Sequence, residues 1–65
     1  MLLDEINRKI IYLLSQGVKT KSLSDHIDLS MSAIEKRKKY LKEVFEIEDG
    51  SDETLLFEAR NKGFI

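Results

Sequence analysis

The chain has 65 residues, with 42% hydrophobic and 35% charged side chains and a net charge of −1. So short a chain has material for one domain and one small core, it is too rich in Leu, Ile and Phe for a disordered tail, and its charge excludes a protein that coats nucleic acid by bulk positivity. The absence of cysteine removes disulfides and thiolate metal sites and favours a reducing compartment, while the longest apolar run, Ile10 to Leu14, falls far short of the ~20 residues that span a bilayer. Met1-Leu2-Leu3 is followed at once by Asp4 and Glu5, which does not fit a signal peptide, so the cytoplasm is the expected location.

With no proline and glycine only at positions 17, 50 and 63, the chain has few breakers, and each glycine sits where a helical period stops. From Asp4 to Gln16 the apolar residues Ile6, Ile10, Ile11, Leu13 and Leu14 recur at three and four, which predicts a first helix with Asp4 as N-cap and Gly17 just past its end. Thr20 to Ile27 reads as a shorter second helix, capped by Thr20, with Leu23 and Ile27 on one face. Asp28-Leu29-Ser30 breaks the pattern as a turn of about three residues, and Ser30 is placed to cap the third helix. Met31 to about Glu46 predicts that helix, the longest, with Ile34, Leu41, Val44 and Phe45 on one stripe. After the loop at Glu48-Asp49-Gly50, Ser51 caps a fourth helix that turns Leu55, Leu56 and Ala59 inward and ends at Gly63, with Phe64 and Ile65 folding back over its end. The expected fold class is all-α, a single domain over residues 1–65 formed as a four-helix bundle.

Charge is divided unevenly along this plan. Residues 1–42 hold nine cations against five anions, whereas residues 43–65 hold two against seven, so one basic and one acidic surface are expected. Two short helices joined by a tight turn, the second capped and basic, meet the requirements for placing a helix in a major groove of double-stranded DNA. With Ile34, Leu41 and Phe45 inward, the wheel turns Ser32, Glu35, Lys36, Lys39 and Glu43 outward toward bases. Lys38 and Lys42 fall on one flank, where they are expected to reach the phosphate strand, and Arg37 lies nearer the apolar stripe, part structural and part phosphate-directed. Glu35 precedes Lys39 by four residues and sits in the first turn, so an intrahelical pair and the helix dipole account for it without any base contact.

The string Gly17-Val18-Lys19-Thr20-Lys21-Ser22-Leu23-Ser24-Asp25-His26-Ile27-Asp28-Leu29-Ser30, followed by Ala33-Ile34-Glu35-Lys36-Arg37, resembles the C-terminal effector domain of LuxR/NarL/FixJ-type bacterial transcription regulators. Leu55 to Ile65, with Ala59, Gly63 and the final apolar pair, is similar to the family's last helix. The resemblance implies a helix-turn-helix formed by the second and third helices, a third helix that reads the major groove, and a fourth that pairs two copies as a homodimer on DNA. It places Glu35, Lys36 and Lys39 at base contacts, Thr20 and Lys21 at phosphate, and Thr54, Phe57, Glu58 and Asn61 on the dimer face. Ala33, Arg37, Val44 and Glu46 stand where the family usually has threonine, histidine, lysine and glycine. Such domains normally follow a receiver or ligand-sensing domain in response regulators of two-component systems, which would be further partners together with RNA polymerase. The chain is accordingly read as a fragment of a longer regulator, with a stand-alone small regulator as the alternative.

Catalysis is not expected. The sole histidine, His26, has no second histidine or cysteine beside it in the sequence, glycine-rich phosphate loops and zinc spacings are missing, and no cofactor or metal is implied. The competing readings are a helical protein-interaction module whose acidic half docks on a partner, and a promoter-reading domain resembling those of sigma factors.

Overall fold

The computed structural model describes residues 3–65, so Met1 and Leu2 of the opening apolar triplet lie outside the described residues. All regular structure among them is helical: α1 (Glu5–Ser15), a 3-10 helix (Thr20–Asp25), α2 (Met31–Val44) and α3 (Asp52–Asn61). Each α-helix opens on the cap its sequence offers. The Asp4 carboxylate accepts from the Asn7 N–H at 2.8 Å, Ser30 Oγ from Ala33 at 3.2 Å and Ser51 Oγ from Thr54 at 3.0 Å, each satisfying an amide that has no partner inside its helix.

The helices also close alike. Beyond α1, the Val18 and Gly17 amides donate back to Leu13 and Leu14 across Gly17 at φ +86°, and beyond α3 the Phe64 and Gly63 amides do so to Ala59 and Arg60 across Gly63 at φ +84°. This paired closure needs a left-handed residue, which glycine adopts without steric cost. The same pair of bonds ends α2, from Ile47 to Lys42 at 2.8 Å and from Glu46 to Glu43 at 3.1 Å, but here the residue at φ +58° is Glu46.

The second helix differs from expectation. It is a six-residue 3-10 helix rather than an α-helix to Ile27, and the connection to α2 runs from His26 to Ser30. Ser22, Ser24 and Asp25 are weak α-formers that compete for backbone bonds, and so short a segment gains little from an i to i−4 ladder. Thr20 does not cap it either: its N-cap position is Lys19, with no side-chain bond, and the Thr20 hydroxyl is engaged elsewhere.

α1 packs against the 3-10 helix, α2 and α3, and the 3-10 helix packs on α2 as well. The core is Leu3, Ile10, Ile11, Leu14, Leu23, Ile27, Ile34, Leu41, Phe45, Leu55 and Ala59, with Leu29 and Leu56 partly buried against it. Full burial of an aliphatic side chain such as Leu41 contributes about 1.5–3 kcal/mol. The C-terminus folds back as expected, with the Phe64 ring edge-on to Phe45 at 5.7 Å and the Arg8 guanidinium 5.8 Å over Phe64. The Cα radius of gyration, 10.7 Å, matches the roughly 11 Å of a well-packed chain of this length. Among the described residues no helix is long and apolar enough to cross a membrane.

Candidate nucleic-acid interface

The outer face of α2 is arranged as the helical period requires. Ile34 and Leu41 are fully buried and Phe45 nearly so, while Ser32, Glu35, Lys36, Lys39 and Glu43 are exposed. Ser30 fixes the start of this helix, and packing of the 3-10 helix and α1 along its inner side fixes its position. Lys21 is exposed at the start of the 3-10 helix and His26 just after its end.

The two flanks of α2 differ from expectation. Lys38, read as a phosphate contact, is only 7% exposed: its ammonium donates to Thr20 Oγ1 at 2.6 Å and to Asp52 Oδ2 at 2.9 Å. Lys42 is drawn the same way, with Nζ 2.9 Å from Asp52 Oδ1. One carboxylate at the start of α3 therefore holds both lysines, and Thr20, read as a phosphate contact, completes the cluster instead. Burial opposes the charge of Asp52, yet hydrogen bonds from Lys42 and Lys38, with their positive charge, hold its carboxyl below the ordinary aspartate value. The cluster ties the 3-10 helix, α2 and α3 together through side chains.

The wheel carried a signal for this. At 3.6 residues per turn Lys38 lies only about 40° from the centre of the stripe defined by Ile34, Leu41 and Phe45, so its stem must run inward. Nothing in the sequence pointed to Asp52 as its partner.

On the opposite flank Arg37, about 60° from the same centre, is half-buried, so Lys38 and not Arg37 lies nearer the stripe, contrary to expectation. The Arg37 Nη1 donates to Asp4 Oδ2 at 3.1 Å and to Asn7 Oδ1 at 3.1 Å. The Asp4 carboxyl lies below its ordinary value, chiefly because it accepts the Asn7 backbone N–H, and further because of the Arg37 guanidinium. Asn7 is 5% exposed and shares the spacing of Ile10, Ile11 and Leu14, so a buried polar residue was legible there. Asp4, Asn7, Ala33, Lys36, Arg37 and Tyr40 line an open cleft of about 520 Å³ between the start of α1 and α2. Tyr40, about half exposed, was not singled out from the sequence.

On α3, Phe57 is 52% exposed while Leu55 and Ala59 are fully buried, so the ring points outward as expected. Of its companions, Asn61 is exposed. Thr54 and Glu58 are half-buried: the Thr54 hydroxyl donates to Asp49 Oδ2 at 2.8 Å, and Glu58 pairs with Lys62 at 3.5 Å. The Asp49 carboxyl is held below its ordinary value first by the Ser51 backbone N–H and next by the Thr54 hydroxyl, so this cluster serves the start of α3.

Comparison of the chain with protein-family models, with curated proteins and with solved structures finds no match. The functional reading therefore rests on the residues themselves.

Proposed function

We propose that the chain is a DNA-binding domain of the helix-turn-helix kind, related to the LuxR/NarL/FixJ-type effector domains, which regulates transcription and has no catalysis of its own. The observation that carries this reading is a 14-residue capped helix, α2, whose Ile34 and Leu41 are fully buried, with Val44, expected on the same stripe, only half-buried, while Ser32, Glu35, Lys36 and Lys39 are exposed on its outer face. Such a helix presents polar and cationic side chains of suitable length to base edges, and Lys36 and Lys39 supply donors for guanine O6 and N7. Lys21, exposed beside the start of the 3-10 helix, adds a phosphate contact. Lys38, Lys42 and Thr20 are removed from the interface by their bonds to one another and to Asp52, so fewer phosphates are neutralised than the cation count implies and the salt dependence of binding is correspondingly shallow.

The proposed stoichiometry is two copies per site, joined through α3, where pairing across a two-fold axis would bury the exposed Phe57 rings against each other. Selection of bound sequences from a random duplex pool tests the whole reading, and a two-fold-symmetric consensus is the expected result. The protein-interaction reading is favoured by one observation, the exposure of Tyr12 on α1, Met31 and Tyr40 on α2 and Phe57 on α3. A chain that enriches no duplex sequence, yet holds a protein partner at high salt, would establish that reading in place of DNA binding.

A further inference from the structure

The cleft between the start of α1 and the near flank of α2 has the makings of an anion seat. Every side-chain hydrogen bond that Arg37 makes among the described residues leaves from Nη1, to Asp4 and to the buried Asn7. The N–H groups of Nε and Nη2 remain for another acceptor, on a side chain already held in place. Ala33, Lys36 and Tyr40 also line the cleft, with a methyl group, an ammonium and a phenolic hydroxyl. Asp4 contributes the one negative charge against Arg37 and Lys36, leaving a single net positive charge in the cleft. That complements one monoanion with several acceptor oxygens. An arginine anchored at one nitrogen loses little side-chain freedom when it binds such a group.

We infer that this cleft seats one backbone phosphate of the bound duplex, with Arg37 as the anchored donor and the Tyr40 hydroxyl as the flanking donor, while Lys36, assigned to the base edges, contributes only its positive charge nearby. Asp4 and Asn7 are positioning residues that aim Arg37. The inference deepens the DNA-binding reading and rests on it: it moves the phosphate contact from the Lys38 and Lys42 flank, closed by Asp52, to the flank that faces α1.

The test uses the selected duplex, with each phosphate in turn replaced by a neutral methylphosphonate, and binding followed by fluorescence anisotropy. With the unaltered protein, one position in each half-site weakens binding about tenfold or more, as expected for loss of a charge-assisted bond. Arg37→Met binds more weakly by a similar factor, has a salt slope shallower by about one unit per bound copy, and no longer responds to the methylphosphonate at that position. Tyr40→Phe keeps the ring and the fold and binds about threefold more weakly on cognate and random duplexes alike, with its salt slope unchanged. Should Arg37→Met fail to fold, the cycle between Tyr40→Phe and the same methylphosphonate gives the answer alone. An Arg37 or Tyr40 variant that still feels every methylphosphonate as the parent does, in a protein that binds duplex and loses base preference on Lys39→Ala, overturns the cleft assignment and leaves the recognition helix standing. Binding of no duplex overturns both. Saturable binding of inorganic phosphate alone, read by calorimetry at low salt, would assign the cleft to a free phosphate ligand and overturn the duplex assignment.

Discussion

Glu46→Gly should stabilise this protein, although it removes a side chain and adds the most flexible residue. Glu46 holds φ +58° because the closure of α2 requires it, with the Ile47 amide reaching Lys42 and the Glu46 amide reaching Glu43. A side chain in that region brings Cβ against the following carbonyl at a cost of roughly 1–2 kcal/mol. Glycine removes that cost but adds about 0.4–1 kcal/mol of unfolded-chain entropy. Glu46 is exposed, so no packing is lost, and its negative charge sits beside the carbonyl end of the helix, where removing it favours the fold slightly. The expected net gain is about 0.5–1 kcal/mol, or roughly 2–8 °C in the thermal midpoint for a domain of this size. Circular dichroism melts and urea titrations should show a higher midpoint with an unchanged m value. Glu46→Ala, which loses the charge but keeps Cβ, is the control and should gain little. If Glu46→Gly is no more stable than Glu46→Ala, the strain argument is wrong and only the charge mattered.

Lys38→Ala should destabilise the fold by about 1.5–3 kcal/mol in urea titration, because a buried stem and two bonds from its ammonium are lost; a change under about 0.5 kcal/mol, the range of ordinary surface substitutions, would return Lys38 to the solvated surface. Lys39→Ala should leave stability within about 0.5 kcal/mol, while weakening the cognate duplex by about 1–3 kcal/mol and relaxing preference at one base pair; equal loss on random DNA would make Lys39 a phosphate contact. A carboxylate whose folded pKa lies below its unfolded one adds stability that is complete above the unfolded value and is withdrawn as the pH falls through the folded one. Asp52 is such a group, so stability should fall as the pH drops below the ordinary aspartate value of 3.8, and Asp52→Asn should be less stable at neutral pH but flatter across that acid range. Phe57→Glu should keep helical content and thermal midpoint yet lose cooperative binding to a duplex carrying two half-sites; global unfolding would place the ring in the core.

Local rules written in the sequence determined most of the fold. Asp4, Ser30 and Ser51 cap because a short oxygen-bearing side chain ahead of an apolar period satisfies amides within three residues, and Gly17 and Gly63 close helices because only local sterics are involved. The inward stripes and the outward face of Ser32, Glu35, Lys36, Lys39 and Glu43 likewise come from the period of 3.6, which needs no knowledge of the partner surface. Weak formers such as Ser22, Ser24 and Asp25, in a segment too short to gain much from an i to i−4 ladder, gave a 3-10 helix where an α-helix was expected. The fate of the long cations, by contrast, was decided only by the tertiary structure. A lysine or arginine stem reaches far enough to meet groups remote in sequence, so whether Lys38 and Lys42 remained for a ligand depended on where α3 placed Asp52. Arg37 depended in the same way on where α1 placed Asp4 and Asn7. The wheel places each stem relative to the stripe, but the charge at its tip is assigned by the partner that packing brings within 3.1 Å of it.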